Sequence, residues 1–282
     1  MATGPQSDSR LPPTLDPARI RRLLLDPKLP FAIECSVDST NNRLAQHLDR
    51  GQPLRVLLAE HQSAGRGRHG RRWLSPPGRG LYLSMAWDFT TRARALSALA
   101  LVAGLAVADA IARHSNIRLG LKWPNDLQVG GNKLGGCLID LRQPGMQRCL
   151  AIIGIGINVD LGSTAGPDQP WTDLVREGGC NDRNRLAAML INALERDLAL
   201  FEQSGFAVFQ SRWKNHDVLR GRHLRLTGNG TDLEGLGCGV DASGALLLET
   251  TTGVHTIRAG EVSVRHLNRD RRAPDRGAMG PR

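Results

Sequence analysis

Residues 60–73 read Glu60-His61-Gln62-Ser63-Ala64-Gly65-Arg66-Gly67-Arg68-His69-Gly70-Arg71-Arg72-Trp73, and residues 65–70 match the dinucleotide fingerprint G-x-G-x-x-G. The match follows Leu54 to Ala59, an apolar run that reads as a strand. A dinucleotide-binding turn must open a helix whose N-terminus faces the pyrophosphate. Here Leu74-Ser75-Pro76-Pro77 follows instead, and no helix continues past those prolines. The fingerprint is therefore a decoy. The alternatives are a solvated surface loop, or a mobile loop that brings guanidinium groups and backbone N–H to an anion. Four arginines packed among three glycines after an apolar strand favour the second.

Further along, Leu81 to Trp87 reads as a strand, and the charge-free stretch Ala95 to Ala108 as a buried helix, with apolar residues at three- and four-residue steps. Its fourteen residues are too few to span a bilayer. Leu119 to Val129, Lys133 to Leu141 and Cys149 to Val159 read as three strands, the first two joined by a Gly130-Gly131-Asn132 turn. Before the loop, Phe31 to Val37 is strand-like. A helix capped within Asp38-Ser39-Thr40-Asn41-Asn42 then runs to Gly51. After a polar loop over residues 162–179 carrying Trp171, Asn181 or Asn184 caps a helix with Leu186, Leu190, Leu194, Leu198 and Phe201 on one face.

These elements set the expected division of the chain. Residues 1–30, with their Pro, Ser and charge, read as a flexible arm with a helical turn or two. Residues 31–215 form the main domain. Residues 216–268, with short alternating segments between Gly/Asn/Asp turns, form a small all-β barrel. Residues 269–282 read as a disordered tail.

Lys122-Trp123-Pro124-Asn125-Asp126 is the second unusual string. It reads either as a turn in which Asn125 and Asp126 hold their own backbone, or as a cluster that positions a phosphate and its Mg²⁺. A hairpin at Gly130-Gly131 would bring Lys133 back toward it. The glycines of Gly154-Ile155-Gly156-Ile157-Asn158 read as room for a neighbour beside a buried strand, with Asn158 at its end free to meet a ligand or cap a loop. No Ser/His/Asp, Cys/His or H-E-x-x-H arrangement is recognisable. The chemistry indicated is charge stabilisation of phosphoryl or adenylyl transfer without a covalent enzyme intermediate.

Composition narrows the classes further. The chain has 282 residues, 40% hydrophobic and 23% charged, which excludes wholesale disorder. Its net charge of +10 suggests nucleic acid until the charge is located: nearly all of it lies in residues 1–30, 65–72 and 266–282, and the rest is almost neutral. The five cysteines are scattered without CxxC spacing, so neither a disulfide framework nor a zinc site follows, and buried free thiols are expected. The N-terminus carries no secretory leader, and a cytoplasmic protein is expected.

Taken together, these strings resemble the biotin–protein ligase family, specifically the bacterial biotin–[acetyl-CoA-carboxylase] ligases. The residues that carry the resemblance are Asp38-Ser39-Thr40-Asn41, the stretch from Glu60 to Trp73, Leu81-Tyr82-Leu83-Ser84, Lys122 to Leu127, Lys133-Leu134-Gly135-Gly136 and Gly154-x-Gly156-Ile157-Asn158. The resemblance implies an α+β fold: a mixed β-sheet flanked by helices, akin to class II aminoacyl-tRNA synthetases, with an SH3-like C-terminal domain. It implies activation of biotin by ATP and Mg²⁺ to biotinyl-5′-AMP, then transfer to one lysine of a biotin carrier protein. On the family pattern Ser39, Thr40, Asn41, Gln62, Arg66, Gly67, Arg68 and Lys133 hold biotin. Arg66, Arg68, Arg71, Trp73, Lys122, Asn125, Asn158 and Trp171 face ATP or the adenylate. Lys133, Arg68, Asp126 and Lys122 carry the reaction, and the metal comes with ATP near Asp126, with no site made by protein alone. A neutral ureido ring wants hydroxyl and amide partners, whereas carboxylate and phosphate want cations, so the residue types agree with these roles.

Two departures from the family pattern stand out: His69 in place of a common arginine, and Gly136 beside Gly135 where a Gly/Ala pair is commoner. Some family members carry an N-terminal winged helix-turn-helix. The 30 residues before Phe31, with six prolines, are too short for one, so no repressor activity and no nucleic-acid partner are expected. No membrane partner is expected either, and a homodimer is compatible with the family. The alternatives are a lipoate-type acid–protein ligase, against which the G-R-G-R-x-G and K-W-P-N-D strings argue, and a DNA-binding regulator, against which the charge distribution argues.

Overall fold

A computed structural model describes residues 14–90, 96–145, 148–162, 169–228, 231–258 and 263–266. Strand β1 (Phe31–Glu34), helix α2 (Thr40–Asp49) and strand β2 (Val56–Ala59) form a crossover unit. Its strands are parallel, with Phe31 opposite Val56 and Glu34 opposite Ala59. A parallel pair needs such a crossover, and the crossover lays its helix on one face of the sheet. Leu44 and Ala45 of α2 accordingly pack on Leu57, Ala86 and Ile152. The remaining strands are antiparallel: β3 (Gly80–Phe89), β4 (Gly120–Lys122), β5 (Asp126–Val129), β6 (Asn132–Gly145) and β7 (Arg148–Asn158) complete a seven-stranded mixed sheet of order β1-β2-β3-β7-β6-β5-β4. Helices α3 (Leu99–Ser115) and α4 (Arg183–Ser204) cover its other face, α3 against β5 and β6 and α4 against β3. With helices on both faces, β3 is buried on both sides from Gly80 through Ala86 instead of alternating.

The expected strand over residues 119–129 is two strands. Trp123-Pro124-Asn125 breaks it into the β4–β5 hairpin, in which Lys122 lies opposite Asp126 and the Trp123–Pro124 bond is cis. A proline cannot donate to the ladder, so the chain turns there. The Gly130-Gly131 hairpin between β5 and β6 forms as read, with both glycines at positive φ (57° and 86°), the backbone that two-residue hairpin turns require.

Three other expectations are corrected. Residues 14–30 are not loose: Leu15, Ile20, Leu24 and Leu29 are buried in the main core, and helix α1 (Pro17–Leu23) packs on α4. Side-chain amides fasten this segment, with Asn184 accepting from Asp16 N and donating to Thr14 O, and Asn192 accepting from Leu25 N and donating to Leu23 O. The earlier part of the arm, residues 1–13, lies outside the described residues, as does the tail over 269–282. Asn184 is thus occupied by the arm, and the cap of α4 is Asp182, which accepts from Arg185 N. Nor are the thiols uniformly buried: Cys137 and Cys149 are, Cys238 is half-buried, and Cys35 and Cys180 are exposed.

After the short helix α5 (Gln210–Lys214), the chain adds Asp217 alongside Leu121, covering the open edge of β4. The second sheet is antiparallel and five-stranded. It comprises β8 (His223–Gly228), β9 (Thr231–Val240), β10 (Leu246–Thr250), β11 (Gly253–Ile257) and β12 (Ser263–His266), in the order β11-β10-β9-β8-β12. Its β9–β10 turn seats against the main domain, where Gly244 O accepts from the buried Trp123 Nε1 at 3.1 Å and Gly244 presses on Ala98 of the segment entering α3. Among the described residues, no helix is long and apolar enough to cross a membrane.

Candidate active site

The N-terminus of α2 opens at the edge of β3, and its first residues are held by side chains from the sheet. Ser39 is the N-cap, yet its side chain makes no capping bond. Instead Gln62 Oε1 accepts from Thr40 N at 2.8 Å and from Thr40 Oγ1 at 3.2 Å, and Gln62 Nε2 donates to Ser75 Oγ at 2.9 Å. From β3, Ser84 Oγ lies 2.7 Å from Thr40 Oγ1 and 2.6 Å from Asn41 Oδ1. Thr40, Asn41, Gln62 and Ser84 are all buried. The result is a neutral polar pocket of hydroxyl and amide groups whose orientations fix one another.

The glycines of β7 leave space for this pocket. A Cβ at Gly154 would run into the Asn41 amide, and one at Gly156 would stand 2.6 Å from the Trp73 indole. Trp73 Nε1 is itself buried without a hydrogen-bond partner. The two glycines after Lys133 are not equivalent. A Cβ at Gly136 would meet nothing closer than 3.5 Å, whereas one at Gly135 would come within 2.6 Å of Gly156 O.

Across from the neutral pocket the lining is cationic. The glycine–arginine loop closes as a tight hairpin: Arg66 pairs with Arg72, Gly67 N donates to Arg71 O at 2.7 Å, and His69 turns the chain in the left-handed region at φ 55°. Histidine enters that region more readily than most side chains. Arg68 reaches Asn125 Oδ1 at 3.5 Å, and Asn125 Nδ2 donates to Cys137 O at 2.7 Å. Burial, with Arg71 nearby, lowers the Arg68 guanidinium pKa against the pull of Asp126. Lys133 Nζ lies 2.7 Å from Asp126 Oδ1 and 5.6 Å from the Trp73 ring centroid. Burial pushes the Cys137 thiol up to about 12, so it stays protonated and is no nucleophile.

The loop carrying Trp171 completes one wall. Its backbone pairs with Lys133 beyond the end of β7, with Lys133 N donating to Pro170 O and Thr172 N to Lys133 O, both at 3.0 Å. Asn158 Nδ2 donates to Thr172 O at 2.9 Å, and the Arg176 guanidinium sits 4.0 Å from the Trp171 ring centroid.

All fifteen residues singled out from the sequence line a single cavity of about 1060 Å³. Lys122, Arg66, Arg68, Arg71, Arg72 and Lys133 line it together with one carboxylate, Asp126. Such a cavity suits an anionic ligand with a neutral polar head. No cluster of three or more His, Cys, Asp or Glu able to hold a metal occurs among the described residues. Sequence reasoning missed Asp140, whose carboxylate accepts from Asn41 Nδ2 at 2.9 Å and pairs with Arg66 at 3.0 Å. Its signal was a charge within an apolar strand, two residues beyond Leu138 on the same face. Ser75 had no sequence signal, because its bond to Gln62 depends on the loop after Trp73 folding back.

Comparison with known proteins gives consistent matches. The model of the biotin/lipoate A/B protein ligase family matches residues 33–158, and that of the biotin protein ligase C terminal domain matches residues 221–265. The bifunctional ligase/repressor BirA of Escherichia coli (strain K12) is 38% identical over 232 residues, covering 81% of this chain and 72% of that protein. The biotin--[acetyl-CoA-carboxylase] ligase of Mycobacterium tuberculosis is 31% identical over 267 residues, covering 90% and 97%. The biotin protein ligase from Aquifex aeolicus, solved in complex with biotin and ATP, superposes with a TM-score of 0.71 at 29% identity, covering 84% of this chain and 99% of that one.

Proposed function

The chain belongs to the biotin/lipoate A/B protein ligase family, and we propose that it activates biotin with ATP and transfers it to one lysine of a biotin carrier protein such as that of acetyl-CoA carboxylase. The observation that carries this reading is the pairing, inside one cavity, of a neutral pocket lined by Ser39, Thr40, Asn41 and Gln62 and braced from behind by Ser84, with a cationic wall bearing Arg68, Lys122 and Lys133. The pocket takes the ureido ring and the wall takes the carboxylate and the phosphates.

In the first step a biotin carboxylate oxygen attacks the α-phosphorus of ATP, and pyrophosphate leaves with the bonding pair. Two anions must meet, so the enzyme has to cancel their repulsion and bind the charge that grows on the phosphoryl oxygens. Lys133 stands beside the pocket for this, oriented by Asp126 and by the backbone pairing with Trp171. Arg66, Gly67 and Arg68 close over the adenylate, exclude water, and keep the mixed anhydride from hydrolysis. Arg71, Trp73, Asn158 and Trp171 line the nucleotide side. Asp126, the one lining carboxylate, would offer a protein oxygen to a Mg²⁺ brought by ATP, and the ion would supply neutralisation of phosphate charge beside Lys122 and Asn125.

In the second step the carrier lysine attacks the acyl carbon, the bond to AMP breaks, and the amine loses a proton. Asp126 is the nearby group that accepts it. The reaction's need for ATP supports a cytoplasmic location. Exchange of pyrophosphate into ATP, measured with biotin, lipoate or neither, tests the reading. Exchange with biotin alone is expected. Exchange with lipoate alone would keep the fold and overturn the reading of Thr40, Asn41 and Gln62, and exchange with neither would overturn the activity.

A further inference from the structure

The neutral pocket and the arginine loop come from distant parts of the chain, yet one carboxylate touches both. Asp140 follows Gly136 and Leu138 on the same face of β6, and its Oδ2 accepts from Asn41 Nδ2 at 2.9 Å. A carboxylate has only acceptors to offer, so it fixes which way the Asn41 amide faces: nitrogen toward Asp140, oxygen toward Ser84. The amide has no room to swing elsewhere, because the backbone of Gly154 lies against it so closely that a Cβ would collide. The same carboxylate holds Arg66 with both oxygens, at 3.0 and 3.3 Å, while Arg66 also donates to Asn42 Oδ1 at 2.9 Å.

We infer that Asp140 is a positioning residue for biotin activation, a latch that orients the Asn41 amide toward the ring and draws the glycine–arginine loop shut through Arg66. The inference rests on the proposed function and adds to it a link between ring recognition and loop closure. An isolated ion pair this exposed contributes little to folding. The consequence of removing Asp140 therefore falls on substrate binding. Asp140→Asn keeps the shape but replaces one acceptor oxygen with a donor that faces the donors of Asn41 and Arg66.

The test is pyrophosphate exchange with wild type, Asp140→Asn, Arg66→Ala and the double variant, with thermal unfolding of each. Asp140→Asn is expected to raise KM for biotin about tenfold, the size of one charge-assisted hydrogen bond, with a smaller rise in KM for ATP and the unfolding temperature unchanged. The double variant is expected to be no worse than twofold beyond the poorer single variant, because both changes open the same latch. An unchanged KM for biotin, a KM for ATP that rises in parallel with it, or fully additive losses would overturn the inference. Asp140→Glu retains the charge while displacing it by one methylene, and is expected to raise biotin KM several-fold; it carries the same test if Asp140→Asn does not fold. Absence of biotin-dependent exchange in the wild type would overturn the proposed function and this inference with it. A wild type that exchanges beside an unaffected Asp140→Asn overturns the latch alone.

Discussion

Lys133 and Asp126 form the pair on which both half-reactions turn, 2.7 Å apart and separated by six residues that spell a hairpin. Replacing Lys133 with Gln removes the cation beside the attacked phosphorus while keeping the stem that packs near Trp73, and a loss of about 10²–10³ in the exchange rate is expected, as for one missing oxyanion donor. Full exchange in Lys133→Gln would show that the charge comes from elsewhere. Asp126→Asn separates the steps. The amide oxygen still accepts from Lys133, so adenylation persists, but no carboxylate remains to take the proton of the carrier lysine. Transfer should fall by about 10²-fold while exchange holds, and unchanged transfer would remove Asp126 from the second step. At this scale the sequence was informative wherever a reacting group lies in a compact string, as in Lys122 to Asp126. It was silent on Ser75, whose partner lies 13 residues away, and gave only a charge within an apolar strand for Asp140, whose partner Arg66 lies 74 residues away.

The elements that present these side chains were legible when their local signals were undisturbed by tertiary packing. The Gly130-Gly131 hairpin and the crossover from β1 to β2 follow from turn chemistry and apolar runs alone. Two signals misled. The apolar content of residues 119–129 read as one strand and outweighed the turn also offered at Lys122 to Asp126, because Trp123 is buried in the turn itself. Asn184 has the chemistry of a cap, yet the arm claims it, and Asp182 caps α4 in its place. Strand β7 shows what an element must omit. Gly154→Ala keeps strand geometry but places a methyl on the Asn41 amide. Overpacking of this kind costs about 1–3 kcal/mol. A lowered unfolding temperature is therefore expected, with a rise in KM for biotin larger than that for ATP. Equal KM changes would mean that β7 supports the fold without shaping the ring pocket.

Across the whole molecule the second sheet bears on the catalytic turn through one loop. Asp241 accepts from Ser243 N, Ser243 Oγ and Ala245 N at 2.7–2.9 Å, and the turn it holds presents Gly244 O to Trp123 Nε1. Partial burial alone would raise the Asp241 pKa, but the hydrogen bonds from Ser243 and Ala245 outweigh it and hold the carboxyl below its ordinary value of 3.8. A depressed carboxyl stabilises the fold above the unfolded-state pKa and loses that contribution as pH falls through the folded-state value. Wild type should therefore unfold at higher temperature than Asp241→Asn at pH 7, and the two should converge below about pH 4; a constant gap would locate the effect in packing instead of charge. Gly244→Ala tests the mechanical link. Gly244 has φ +80°, and a Cβ there would stand 2.5 Å from Ala98. The turn must lift, and Trp123, fixed between Lys122 and Asn125, loses its acceptor at a cost of about 1–3 kcal/mol for a buried unpaired donor. Exchange should slow although residue 244 does not line the cavity, and kcat should fall more than KM for biotin changes, because the ring pocket is on the far side. Wild-type exchange in Gly244→Ala, with the protein folded, would mean that the main domain holds its catalytic turn unaided.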